Sequence, residues 1–231
     1  MVRTGVEAVD HGRRSVIGWA AALPLALVAG CASGPGGYSI EEIVQRLLTL
    51  SSQRAFARLL QPGGFYDDAL ARIDVPDAVT GGSGVLGAVL RTNAVRRQVA
   101  IALNDAAGEA AERATPIVYD AIRGLSVADA VAVLRGGPQA ATALLRGRAE
   151  DAVVDALVPG VSGALRSDLA EVAGAALGAA TGIDYVELGR TVANQAADGI
   201  FAAIGREEAA IRADPRSTGD PALIALLTVA G

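Results

Sequence analysis

The 231-residue sequence contains no lysine and has only one histidine and one cysteine. These two residues, His11 and Cys31, both lie near the N-terminus. A serine or cysteine nucleophile needs an imidazole base near neutral pH, and Schiff-base chemistry and phosphate-binding loops need lysine. The composition therefore excludes an internal disulfide, argues against a catalytic triad and a zinc site, and predicts no cofactor.

Aromatic residues make up only 3% of the chain and charged residues 19%, whereas 52% of the residues are hydrophobic. The net charge is −5, and the 20 basic residues, all arginines, form no run longer than two. A nucleic-acid-binding surface needs concentrated basic residues, often beside aromatic rings, so we expect no nucleic-acid partner. The hydrophobic content is too high for a disordered chain, and with so few aromatics the core must consist of Ala, Leu, Val and Ile.

The N-terminal residues are typical of a bacterial export signal. Arg13 and Arg14 precede residues 15–30, which carry no charge. A helix of this length reaches about 24 Å, less than the roughly 30 Å hydrocarbon core, so a cleaved signal is favoured over a membrane span. The paired arginines also partly resemble a twin-arginine export motif, which leaves the export route open.

The end of this segment, Leu27 to Cys31, resembles the lipobox of bacterial lipoproteins. The resemblance implies cleavage before Cys31, acylation of its thiol and new amine, and attachment to the membrane through this residue. Ala32 stands where an inner-membrane retention aspartate would otherwise lie, so the expected location is the cell envelope, at the outer membrane and facing the periplasm. We therefore divide the chain into a cleaved signal (1–30), a lipidated cysteine with a flexible tether (31–38) and an all-helical domain (39–231).

The domain shows helical spacing throughout, and period-2 alternation never persists. We expect an all-α fold, a compact multi-helix bundle with antiparallel neighbours and no sheet. Ser39 and Glu42 form a capping box for a first helix that ends near residue 60, and residues 65–82 are expected to be irregular. Further helices are predicted over about residues 85–90, 94–113, 116–124, 126–136 and 138–157. An alanine- and glycine-rich helix then follows to about residue 181, another covers 184–213, and a last short segment begins at Asp220.

Short residue blocks follow in a fixed order along the domain: Leu103-Asn104, Pro116 to Ile122, Asp129-Ala130, Gly136-Gly137, Ala140 to Thr142, Asp198 to Phe201 and Glu208 to Pro215. They resemble a Gram-negative lipoprotein family known only as domain of unknown function 4197. The resemblance implies a helical envelope lipoprotein whose biochemical activity is not known. The chain departs from the family at Asp105 and Gly108, where the family has Arg and Glu, and at Leu144-Leu145, where it has an aromatic pair.

Six residues form what we call the candidate polar cluster: Asn104, Asp120, Asp129, Thr142, Glu208 and Arg212. Asn104 lies on an apolar helix face and is expected to hydrogen-bond to another helix, with a ligand-orienting role as the alternative. Glu208 precedes Arg212 by four residues on an apolar stripe, which predicts a partly buried ion pair, with a catalytic acid as the alternative.

The other members of the cluster have local explanations. Asp129 is expected to complete a capping box with the serine three residues earlier, and Asp120 to pair with the arginine three residues later. Thr142 is expected to donate to the carbonyl of Pro138.

Two glycine patterns are expected to be structural. Residues 82–87 match the G-x-G-x-x-G motif of dinucleotide-binding loops, but Pro76 breaks the chain where a strand would have to precede it. Gly174, Gly178 and Gly182 resemble a glycine zipper, and close helix packing explains them.

Three functions remain open at this stage. The first is a non-catalytic binding or scaffolding module with an envelope protein as partner. The second is a carrier of an apolar ligand between alanine-rich helices near Asn104. The third is a carboxylate-dependent hydrolase that uses Asp120, Asp129 or Glu208.

Overall fold

The computed structural model of the protein describes residues 37–77, 92–173 and 185–230. Within these ranges the chain forms seven α-helices and one 3₁₀ helix without any β-strand, so the predicted all-α class is confirmed. The signal, Cys31, the 82–87 motif, the helix expected over 85–90 and the zipper glycines lie outside the described residues.

The helices are α1 (Ile40–Leu59), α2 (Gly64–Asp67), α3 (Asn93–Arg123), α4 (Val127–Leu134), α5 (Ala140–Ala173), α6 (Tyr185–Ala213) and α7 (Pro221–Ala230), with the 3₁₀ helix (Pro215–Thr218) before the last. In the part of the chain that is described, no helix combines the length and apolarity needed to cross a bilayer.

Local signals set several helix ends as the sequence predicts. At the start of α1, the Glu42 backbone N–H donates to Ser39 Oγ at 3.1 Å, and the Ser39 N–H donates to Glu42 Oε2 at 2.7 Å. A second capping box, from Ser126 and Asp129, begins α4, and Gly124 ends α3. These ends depend on residues at most four positions apart, which is why the sequence predicts them.

Two predicted helix boundaries are wrong. The sequence predicts that Pro116 begins a new helix and that Pro159 follows the end of one, but Pro116 lies inside the continuous helix α3 and Pro159 inside α5. A proline inside a helix removes one hydrogen bond and crowds the preceding turn. Buried side chains continue past Pro159 along one face of α5, from Leu157 to Val161 and Leu165, and this packing outweighs the local cost.

The core lies where α5 packs against α3 on one side and against α6 on the other, with α1 packed on α6. Five alanines of α3 are at most 1% exposed, and such small side chains allow helix backbones to approach closely. These alanines are Ala106, Ala107, Ala110, Ala111 and Ala114. The core therefore has the aliphatic composition that the sequence predicts, with Phe65 and Phe201 as its largest buried side chains.

Candidate functional site

Glu208 is the centre of the most connected polar group in the described structure, and its side chain is fully buried. Its Oε1 accepts hydrogen bonds from the Ala141 backbone N–H at 3.0 Å and from Arg212 Nε at 2.8 Å. Its Oε2 accepts two more, from the backbone N–H and the hydroxyl of Thr142, both at 2.7 Å. The expected pair of Glu208 and Arg212 is present, and Glu208 is more deeply buried than expected.

This carboxylate caps a helix on which it does not lie. Ala141 and Thr142 belong to the first turn of α5, whose N–H groups have no partner within that helix. A negative charge at this end also interacts favourably with the helix dipole. Glu208, on α6, therefore satisfies the start of α5 and fixes the two helices against each other.

Arg212 extends the same group to the preceding helix. Its guanidinium bonds Glu208 and approaches the Val133 carbonyl in the last turn of α4, with an Nη2–O distance of 3.5 Å. A cation is favoured at a helix C-terminus for the same reason that an anion is favoured at an N-terminus. The ion pair thus lies across the turn between α4 and α5.

The prediction for Thr142 is wrong. Its hydroxyl donates to Glu208 and not to the carbonyl of Pro138. A buried carboxylate is a stronger acceptor than a carbonyl, because a hydrogen bond to a charged group is shorter and stronger than one between neutral groups.

Asn104 is also buried, but its partner is not the predicted second helix. Its Oδ1 accepts from the Ile73 N–H at 2.9 Å, and its Nδ2 donates to the Ile73 carbonyl at 3.0 Å and to the Ala100 carbonyl at 2.7 Å. Gln195 of α6 accepts from the next backbone N–H in the non-helical segment, that of Asp74, at 3.0 Å. Two amide side chains, one each from α3 and α6, therefore hold this segment between the helices.

Asp129 forms the predicted capping box and an additional contact. Its Oδ2 accepts from the Ser126 N–H at 2.7 Å and from Arg148 Nη2 on α5 at 2.7 Å. The Ser126 hydroxyl and backbone, together with Arg148, hold the pKa of Asp129 below its ordinary value. Asp129 remains an ionised structural group at neutral pH.

The candidate polar cluster does not form one site. Thr142, Glu208 and Arg212 share hydrogen bonds, whereas Asn104 bonds the Ile73 segment and Asp129 bonds the α3–α4 corner. Asp120 pairs with Arg123 on the exposed surface, as predicted. In the ranges that the structure covers, no three His, Cys, Asp or Glu side chains are arranged to hold a metal ion.

The sequence did not reveal an ion pair between Asp68 and Arg206. Both terminal nitrogens of the guanidinium donate to the carboxylate, with Nη1 at 2.8 Å from Oδ1. This bond, with some help from the Leu70 N–H, lowers the pKa of Asp68 to about 2. The partners lie 138 positions apart, so no spacing in the sequence could predict the pair.

Open grooves occur at several places on the surface of the described residues, and two of them adjoin each other. One, of about 450 Å³, lies along α1, and a second, of about 640 Å³, extends to the start of α7. Both are lined by Tyr38, Arg46 and Asp220, and the Arg46 guanidinium lies 4.2 Å from the Tyr38 ring centre and 2.9 Å from Asp220 Oδ2. A third groove, of about 380 Å³, lies between the end of α1 and α3, beside Asn104.

The chain is similar to one family of known proteins. A family model that carries the description "Protein of unknown function (DUF4197)" matches residues 36–227. No curated protein and no solved structure matches the chain. The matched span contains all six members of the candidate polar cluster, and Cys31 lies before it and outside the described residues.

Proposed function

The chain belongs to the DUF4197 family of proteins of unknown function, and we propose that it is a lipid-anchored protein of the cell envelope that acts as a binding or scaffolding module. In this proposal Cys31 carries the lipid, the outer membrane is the site of attachment, and the helical domain faces the periplasm. The LVAGC sequence that ends in Cys31 supports the anchor.

The main support for a non-catalytic role is that the buried polar side chains already have hydrogen-bond partners inside the domain. The Glu208 carboxylate already accepts four hydrogen bonds, and the Asn104 side chain takes part in three. A general acid or base must come within hydrogen-bond reach of its substrate. Because both side chains are buried and occupied by internal partners, their arrangement favours support of the fold over the catalytic-acid role of Glu208 and the ligand-orienting role of Asn104 that the sequence left open.

The form of the grooves favours a protein partner over an apolar ligand. The grooves beside Tyr38 and beside Asn104 are open, and both have polar as well as apolar side chains in their walls. Small apolar ligands are held in sites that enclose most of their surface. An open, mixed surface instead resembles the surfaces through which proteins associate.

The anchor is tested by intact-mass spectrometry of the full chain made in a Gram-negative host, with the Cys31→Ser variant as control. We expect a mass that corresponds to cleavage before Cys31 plus acyl groups, and recovery of the protein in the membrane fraction. The variant should keep its leader and carry no lipid. A wild-type protein with a free thiol and an intact leader would overturn the proposal.

The binding role is tested with a photo-crosslinking residue placed at Gln53, which lines the groove along α1, or at Val127, an exposed position on α4. We expect a discrete adduct in cells from position 53 and none from position 127. The same adduct from both positions, or none from either, would count against a binding surface at this groove.

A further inference from the structure

Residues 71–75, which we call the strap, have the burial pattern of an extended strand, although the described part of the chain forms no β-strand. Ala71 and Ile73 are each 1% exposed and Val75 packs on the core, whereas the two residues between them are exposed. Alternation of this kind belongs to an extended chain with one face on the protein and the other in water. The strap therefore lies on the domain as a bound peptide would.

An amide side chain on each of two helices bonds the backbone of the strap. The Asn104 side chain bonds the N–H and the carbonyl of Ile73, and the Gln195 side chain accepts from the N–H of the next residue. Asn104 belongs to α3 and Gln195 to α6, two helices that pack mainly on α5 and little on each other. We call the place that the strap occupies between them the α3–α6 groove. Hydrogen bonds to the main chain hold an extended peptide without regard to its side chains.

The buried positions of the strap show which segment fits the α3–α6 groove. At Ala71 the strap lies against Gly199, where a Cβ atom would approach the Ala71 Cα to 2.8 Å, so the buried residue at this position must be small. The buried side chain of Ile73 requires an aliphatic residue two positions later, and Val75 a second one. The groove thus fits an extended segment with one small and two aliphatic residues at alternate positions.

The strap is accessible from solvent near both amide side chains. Asn104 and Phe65 line the open groove of about 380 Å³ between the end of α1 and α3, so the side chain that bonds Ile73 also stands beside an open groove. The hydrogen bond between Gln195 and the Asp74 N–H is exposed. A competing chain can therefore approach the strap from either side.

We propose that the α3–α6 groove binds an extended segment of a partner protein, and that the strap occupies this groove as an internal competitor. This role of the groove rests on the binding role proposed above and names the kind of segment that is bound, but it does not depend on the lipid anchor. The partner segment displaces the strap, and Asn104 and Gln195 then bond the backbone of the partner. Because the strap belongs to the same chain, its effective concentration at the groove is high and the partner binds weakly until the strap is loosened.

The test measures binding of a fluorescent peptide with the sequence of residues 68–77 to the full chain, by fluorescence anisotropy. Ile73→Ser in the protein loosens the strap and leaves Asn104 and Gln195 in place. Leu70→Ser is the matched control, because Leu70 is an aliphatic residue beside the strap that is 55% exposed. We expect the Ile73→Ser protein to bind the peptide at least about tenfold more tightly than the wild-type or Leu70→Ser protein does. A peptide that itself carries Ile73→Ser should show no such gain.

A second measurement uses the wild-type chain, and it decides alone should the Ile73→Ser protein fail to fold. Release of the strap without unfolding of the bundle exposes the Ile73 amide, whereas the Leu103 amide, buried in α3, is exposed only when the helix opens. We expect hydrogen exchange at Ile73, corrected for intrinsic rates, to be at least about tenfold faster than at Leu103.

Exchange at Ile73 as slow as at Leu103 would overturn the inference, because the strap would then be a fixed part of the fold. Equal binding of the two peptides to the Ile73→Ser protein would also overturn it. Dimers of the wild-type chain that the peptide dissociates would assign the groove to the strap of a second copy, and would overturn the assignment to a partner protein. The crosslinking test at position 53 concerns the groove along α1, so failure of the proposed function is distinguishable from failure of this inference.

Discussion

Asn104 pairs with both backbone groups of Ile73, as a neighbouring β-strand would, although Asn104 lies in the middle of a helix. The pairing satisfies the N–H and the carbonyl of a residue that is only 1% exposed. A segment without regular structure can therefore lie between α3 and α6 without leaving buried polar groups unpaired.

Replacement of Asn104 by Ala should destabilise the protein by about 2 kcal/mol, because the buried N–H and carbonyl of Ile73 lose their partner. Urea denaturation measures the loss, and amide exchange at Ile73 should accelerate. Gln45→Ala is the control, since the Gln45 amide bonds only Glu41 on its own helix, and it should change stability by less than about 0.5 kcal/mol. An Asn104→Ala protein as stable as wild type would contradict the structural role.

Replacement of Glu208 by Ala should be more damaging, with a loss of about 3–5 kcal/mol, because it leaves Arg212 and the start of α5 without their buried partner. Thermal and urea unfolding of the purified proteins measure the difference. Asp120→Ala removes a carboxylate from an exposed pair and should cost less than about 1 kcal/mol. Similar losses for the two variants would show that Glu208 does not act as a cap.

Gly199→Ala should destabilise the protein, because a Cβ atom at this position would lie 2.8 Å from the Ala71 Cα and 2.9 Å from its carbonyl oxygen. The matched control is Gly163→Ala, also in a long helix, where a Cβ would meet nothing within 4 Å. Alanine is favoured over glycine in helices by about 1 kcal/mol, so the control should stabilise the protein. Changes of melting temperature with the same sign in both variants would contradict this explanation.

The Asp68–Arg206 pair should make stability depend on pH in the acid range. Asp68 has a lower pKa in the folded protein, about 2, than its ordinary value of 3.8. Its contribution is therefore fully present above about pH 5 and is lost as the pH falls toward 2. Since the Arg206 side chain is one-third exposed, we expect Arg206→Gln to cost about 1–2 kcal/mol at pH 7 and clearly less near pH 2.5.

The measurement is the free energy of unfolding in urea at pH 7 and pH 2.5 for wild type and variant. Arg123→Gln removes an exposed pair with Asp120 and serves as control, with a small effect at both pH values. A cost of Arg206→Gln that does not change with pH would disprove the pairing of Arg206 with an ionised Asp68.

The sequence predicts those features of the fold that depend on neighbouring residues. The capping box of Ser39 and Glu42 and the helix end at Gly124 need only a few consecutive side chains, and both are present. Pro116 and Pro159 show where the local rule fails, because continuous burial along α3 and α5 outweighs the preference of proline for helix ends.

In the candidate site, too, the sequence predicts contacts within one helix but not contacts between distant parts of the chain. Helical periodicity shows that Asn104 faces a packed layer and that Glu208 can reach Arg212 one turn later. It cannot show that Glu208 meets Thr142, because 66 positions separate the two residues and only the packing of α5 on α6 brings them together. The sequence does not predict the hydrogen bonds between Asn104 and Ile73 for another reason. The segment around Ile73 has no periodic pattern from which its position in the fold could be inferred.

The capping of α5 by Glu208 also sets an order of events as the chain emerges from the ribosome. The first turn of α5 is synthesised well before the carboxylate that completes it, and α6 must be made almost to its end before that carboxylate exists. Until then the amides of Ala141 and Thr142 lack the carboxylate that accepts their hydrogen bonds in the folded protein. A nascent chain that stops short of residue 208 therefore leaves this helix end without its side-chain cap, and the packing of α5 on α6 without its buried polar contact.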